Sequence, residues 1–367
     1  MFLRRRRSAE EIKLLDQLRD LEPEIRLHLS RIFPDVAQAT PLDLQLLQVD
    51  CAHWMVVAST RTRPARRLLV KGPRKYGPSP AKLEMERHLL AGIVPQIIAG
   101  NPLTRSPQLL ASYPDRQLLL LEMVEGVHLY SMLFGLRDLG ARRRLPDLIS
   151  LCAEWLARFH RLTESGETGN PFDWLIEELE RPRAQDVLER YAGPETRAAL
   201  CELAHWARDR YPDFRRPLCL LHRRFAPYHV LVQGRRIYVF DLETNPAHGY
   251  PYEDLAHFTT YADIVFPWRY AAGIMRMNLA EQRRTFLEAY VRHTSPLTEP
   301  EQAVLRFARV LAMVSYASDL EKEDTGKRRL RGWVGKPWYR HRFRLVCREE
   351  LAALREMASS PAGGGAP

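Results

Sequence analysis

The sequence predicts an α+β protein in two unequal parts. A small antiparallel sheet comes first, a larger helical region follows, and a helical extension precedes both. Three observations lead there. Short apolar runs broken by polar turns fill residues 41–123. Helical periodicity dominates residues 124–357. One strand-and-turn island, Pro217–Phe240, interrupts the helices, and residues 220–258 gather His, Asp and Glu side chains. The expected boundaries are therefore 1–40 for the extension, 41–123 for the strand-rich part, 124–357 for the helical part and 358–367 for a tail.

Each element has its own signal. Ser8-Ala9-Glu10-Glu11 is a capping box, in which hydroxyl and carboxylate satisfy free amides at a helix start. Ile12, Leu15, Leu18 and Leu21 follow at helical spacing, and after Pro23 the pattern resumes through Ile25, Leu29 and Phe33. Leu42–Val49, Trp54–Ser59 and Arg67–Lys71 read as strands, Pro80–Leu90 as a helix carrying Glu84 and Glu86, and Gln117–Met123 as a buried strand. Asp147–Leu162 is strongly helical, and residues 173–211 read as one or two helices. Pro217–Phe240 reverts to short strands and turns. Helix then runs to about Met357, and Ser359–Pro367, rich in Gly, Pro and Ala, reads as disordered.

Composition narrows the classes. A chain of 367 residues with 46% hydrophobic side chains has ample material for a core and does not read as disordered. The five cysteines are scattered, with no C-x-x-C pair, which argues against a zinc site or disulfide framework and suits a reducing compartment. No run of about 18 apolar residues suggests a membrane span. The basic run Arg4–Arg7 leads into a charged helical stretch, not the apolar core of a signal peptide. The expectation is a cytoplasmic protein. Its formal net charge of +10 favours anionic surroundings without choosing one. Residues 327–344 mix eight Lys/Arg with Trp333, Trp338, Tyr339 and Phe343. The favoured reading is inward-packed aromatics with solvated charges. Next comes peripheral attachment to an anionic membrane or glycan, with Arg4–Arg7 as a second contact. Nucleic acid is the least favoured partner.

The island carries the functional signal. Phosphoryl transfer to a hydroxyl uses an Asp that orients or deprotonates the acceptor. It also uses an Asn on the metal five residues later, and a second Asp on Mg²⁺ beyond a short hairpin. Residues 222–232 read His-Arg-Arg-Phe-Ala-Pro-Tyr-His-Val-Leu-Val, followed by Gly234, a strand over 236–240 and Asp241-Leu242-Glu243. This resembles the loop H-G-D-x-x-P-x-N-V-L-V of the aminoglycoside phosphotransferase and choline kinase superfamily. Tyr252-Glu253-Asp254-Leu255-Ala256 is similar to that family's structural Y-D-L-A turn, and Leu156–His160 to its L-A-x-L-H helix. The resemblance implies a bilobal, protein-kinase-like fold with an antiparallel-sheet N-lobe and a helical C-lobe. It implies that Lys71 contacts the nucleotide phosphates, that Glu86, less well Glu84, pairs with Lys71, and that the stretch around Met123 receives adenine. Asp241 and Glu243 are the implied metal ligands, and ATP with Mg²⁺ the implied cofactors. His222, His160 and Asp254 are implied braces.

The loop departs from the family where the chemistry is done. Arg224 stands at the catalytic Asp position, His229 at the Asn position and Arg223 at the Gly position. A guanidinium cannot accept a proton at any ordinary pH. It is also placed to pair with Asp241 or Glu243 and so to occupy the metal site. Residues 49–56, where the phosphate-covering loop is expected, contain no Gly, which weakens the expectation of nucleotide binding. His229 reads better as a structural group than as a ligand. Three functions follow in order: a pseudokinase with weakened or absent nucleotide and Mg²⁺ binding, an active phosphotransferase acting on a small molecule, sugar or lipid-linked glycan, and a basic adaptor at an anionic surface.

Overall fold

The computed structural model describes residues 20, 22–37, 40–49, 53–61, 66–73, 80–134, 143–242, 248–264, 279–322 and 328–360. The capping box at Ser8, the basic run Arg4–Arg7, the 50–52 turn, Glu243 and most of the C-terminal tail lie outside them. Two compact units divide the chain: Met1–Gly126 with Tyr238–Pro246, and Val127–Ile237 with Ala247–Pro367.

The first unit is a five-stranded antiparallel sheet with a helix on each face. Helix α1 is Glu22–Ile32, the strands are β1 (Leu42–Val49), β2 (His53–Thr60), β3 (Arg67–Pro73), β4 (Leu109–Tyr113) and β5 (Leu118–Glu122), and their order is β1-β2-β3-β5-β4. Strand period sorts the side chains. Leu68 and Val70 of β3, with Leu118 and Leu120 of β5, join Ile25 and Leu29 of α1 in one buried cluster. The helical segment before residue 40 therefore belongs to the core of the sheet it precedes. Lys71 takes the opposite face. Helix α2 (Pro80–His88) continues through a π-helical turn, Leu89–Ile93, into α3 (Val94–Gly100). Strand β4 had no clear alternation in the sequence, and all five of its residues are half-buried.

The second unit is mostly helical. After the two-residue strand β6 (Val127–His128) come α4 (Leu129–Phe134), α5 (Leu145–Leu162) and β7 (Glu164–Gly169). Residues 171–210 form three helices, α6 (Pro171–Glu180), α7 (Pro182–Ala192) and α8 (Pro194–Arg210), against an expectation of one or two. The reason is local. Each opens on a proline, whose ring fits the first helical turn but clashes with any helix continuing from before it. Strands β8 (Arg216–Cys219), β9 (Val230–Gln233) and β10 (Arg236–Val239) make up the island, β9 pairing with β6, and from Tyr238 on β10 is counted with the first unit. Helices α9 (Tyr252–Ile264), α10 (Leu279–His293), α11 (Glu299–Lys322) and α12 (Arg328–Ser359) complete the unit. Within the basic 327–344 segment, Tyr339 and Phe343 are buried, at 2% and 0% exposure. Arg344 Nε donates to the Tyr191 carbonyl at 3.0 Å. Among the described residues no helix is long and apolar enough to cross a membrane.

Candidate functional site

Lys71, Glu86 and Asp241 come together within the first unit. Strand β3 places Lys71 opposite Leu119 of β5 and Met55 of β2, in mid-sheet. Its ammonium donates to Glu86 Oε2 at 2.8 Å, with the two side chains 5% and 3% exposed. A buried Lys or Glu is costly unless paired, so each explains the other's burial. Asp241 Oδ1 lies 3.5 Å from the same nitrogen, on a side chain 43% exposed. Asp241 has φ +67°, in the left-handed region that Asp tolerates better than most residues. Glu84, the other candidate, is exposed and bound bidentately by Arg87 at 2.8 and 2.5 Å. Helical spacing explains the choice: two residues turn the side chain by about 200°, so Glu84 and Glu86 cannot face one partner. Met123 follows the end of β5, where the Glu122 amide donates to the Gln108 carbonyl at 2.9 Å.

The loop assembles within the second unit. Asp254, fully buried near the start of α9, accepts the His222 amide at 2.7 Å and a His160 Nε2–H at 3.2 Å, both on Oδ2. His160 Nδ1 is 3.0 Å from the Tyr290 hydroxyl. Burial by itself would raise the Asp254 carboxyl. The His160 hydrogen bond and the nearby His222 outweigh it and hold the group below the usual carboxylate range. Phe225 stacks between Trp155 and Phe258, at ring separations of 5.8 and 5.5 Å. His229 sits in the 3₁₀ turn Pro227–His229, and its ring nitrogen Nδ1 is 2.8 Å from the Arg224 carbonyl oxygen. Arg223 has φ +66°, the conformation for which a glycine carries no steric penalty.

Two further residues matter that sequence reasoning gave no role. Glu253 is packed beside Gly249, where an added Cβ would meet Leu221 Cδ1 at 2.5 Å and Glu253 Oε1 at 3.0 Å. Burial pushes its carboxyl up to about 8, against the pull of the Arg223 guanidinium. Glu253 stood in plain view next to Asp254, and what singles it out is a half-buried position with its carboxyl turned towards Gly249. Tyr290 carried no local signal at all, since its partner is 130 residues away.

A buried Lys–Glu pair on a β-sheet, a carboxylate at the end of a later strand and a His-anchored loop define a kinase-like phosphotransferase fold. A profile described as "Phosphotransferase enzyme family" matches residues 57–300, and the chain belongs to that family. Among solved structures it is similar to aminoglycoside phosphotransferase APH(4)-Ia, at 14% identity and TM-score 0.50, covering 88% of this chain and 97% of that one. Choline kinase LicA from Streptococcus pneumoniae matches at 15% identity and TM-score 0.49, covering 91% of this chain and 99% of that one. Macrolide 2'-phosphotransferase MphH from Brachybacterium faecium matches at 16% identity and TM-score 0.48, covering 89% and 98%. No curated protein sequence matches this one.

The residues present fit a nucleotide triphosphate and one metal bond. Lys71 offers a fixed cation for phosphate oxygens, and the half-exposed Asp241 offers one carboxylate. Mg²⁺ is commonly held by one or two carboxylates together with substrate phosphates. Among the described residues no three His, Cys, Asp or Glu converge on a metal position. The imidazole of His229 is a poorer match to a hard cation than the oxygen of an Asn.

Proposed function

We propose that this protein is a nucleotide-binding pseudokinase of the phosphotransferase family. One observation carries the reading. Lys71, Glu86 and Asp241 are held together, while the position of the catalytic carboxylate bears Arg224. Glu86 fixes the Lys71 ammonium, Lys71 binds phosphate oxygens, and Asp241 holds the metal. When bound, Mg²⁺ neutralises phosphate charge. Arg224 accepts no proton from an acceptor hydroxyl. The loop backbone stays braced through Asp254, so it holds its shape without the residue that performed its chemistry.

Thermal denaturation with millimolar ATP and Mg²⁺ tests the reading, because a ligand that binds only the folded state raises its stability. The expected result is a higher melting temperature with no phosphorylation of amine-, sugar- or lipid-linked hydroxyl acceptors. Absence of any shift turns the interpretation to a basic adaptor at an anionic surface. Wild-type turnover turns it to an active phosphotransferase, a reaction with a loose transition state that needs little base assistance.

A further inference from the structure

Helix α2 is loaded on two faces. One face carries Glu86, bonded to Lys71. The other carries Ala81, Glu84 and Arg87, which recur at three-residue spacing along the helix. With Leu83 they form one wall of a cavity of about 320 Å³, and Tyr113, Pro114 and Leu119 form the facing wall. Every lining residue belongs to the first unit. The volume sits at the lower end of the range for small-molecule sites.

The lining narrows the ligand class. Leucine, proline and tyrosine side chains suit a single aromatic ring or a compact branched chain. Arg87 and Glu84 are the charged side chains of the lining. Glu84 engages Arg87 Nε and Nη2, and Arg87 Nη1 makes no bond among the described residues. A guanidinium has five N–H donors, so a second carboxylate can bind end-on without displacing Glu84.

The cavity is also mechanically close to the nucleotide site. Leu119 of its far wall is the cross-strand partner of Lys71. The near wall is the helix that holds Glu86. That helix ends in the π-helical turn Leu89–Ile93, where the hydrogen-bond register changes. A ligand touching α2 and the β4–β5 hairpin together reduces the freedom of α2 relative to the sheet. We propose that this cavity binds a small aryl carboxylate, and that its occupancy tightens the Lys71–Glu86 pair. The effect on nucleotide affinity rests on the function proposed above, whereas the site and its action on Lys71 do not.

The test uses the full chain and 3-(4-fluorophenyl)propionate, observed by ¹⁹F NMR. Two variants accompany it, Ala81→Trp to fill the cavity from an exposed helix position and Arg87→Gln to remove the anion contact. Acylation of Lys71 by acetic anhydride, quantified by mass spectrometry, reads the ion pair directly. The expected results are binding to wild type, roughly tenfold weaker binding to Arg87→Gln, and none to Ala81→Trp. Saturating probe slows Lys71 acylation roughly fivefold in wild type and not in Ala81→Trp. The proposal is overturned by no binding to wild type, by binding that both variants leave unchanged, or by Lys71 acylation indifferent to saturating probe. Failure of ATP to bind would remove the proposed function while leaving all three of these readouts intact, so the two failures are separable.

Discussion

The Nδ1–H of His229 donates to the carbonyl oxygen of Arg224 at 2.8 Å, a bond that ties positions 224 and 229 of the loop together. An Asn at 229 retains a donor of similar reach, and an Asp at 224 retains the same carbonyl. Arg224→Asp with His229→Asn is therefore expected to fold and to gain phosphotransferase turnover over wild type. ADP release measured across a panel of hydroxyl acceptors checks this, and turnover by wild type equal to the double variant would refute it.

Removing the ammonium of Lys71 strands the buried Glu86 carboxylate. Lys71→Met should cost about 3–5 kcal/mol of stability and abolish the ATP-induced shift. Adding Glu86→Gln should recover much of the stability, because no buried charge remains, and none of the ATP response. Chemical denaturation separates the two effects. Recovery of the ATP response in the double variant would show that Lys71 is not a phosphate contact.

Glu253 sets a pH dependence. Its folded value of about 8 lies above the ordinary 4.5, so the folded protein holds a proton that the unfolded chain releases. The stability this group contributes is fully present below pH 4.5 and is lost as pH rises through 8. Glu253→Gln should match wild type near pH 4.5 and exceed it at pH 9 by on the order of 1–2 kcal/mol. Urea melts at several pH values decide this, and parallel curves for the two proteins would contradict it.

Arg223 tests the same carboxyl from the other side. Its left-handed conformation costs roughly 1–2 kcal/mol, and a Gly there gives back about 0.5–1 kcal/mol in lost chain entropy. Arg223→Gly should therefore gain about 0.5 kcal/mol at pH 6, where Glu253 is mostly protonated. At pH 9 the sign should reverse, because the ionised Glu253 loses its nearby guanidinium. A gain of equal size at both pH values would break the link between the two residues.

Much of the fold was legible because its signals are local. Short apolar runs between polar turns marked β1 to β3, helical period marked α5, and the prolines at 182 and 194 held the division into three helices that periodicity alone did not resolve. Lys71, Glu86 and Asp241 were named through the family resemblance, and the structure brings their side chains together. Strand β4 and Tyr290 were not legible, since a half-buried strand shows no clean alternation and a distant hydroxyl leaves no mark near its partner.

By itself the sequence determined the order of the elements, the family and the presence of Arg224 and His229 in the 222–232 loop. These are facts of residue identity and of spacing within a turn or two. Only the tertiary structure chose Glu86 over Glu84, since a helix face acquires a partner only when it docks. It also put Asp254 on a histidine 94 residues away and gave Glu253 its raised affinity for a proton. Both effects depend on how much water packing removes from a carboxyl group and on which donors it leaves beside it, and distant segments settle that together.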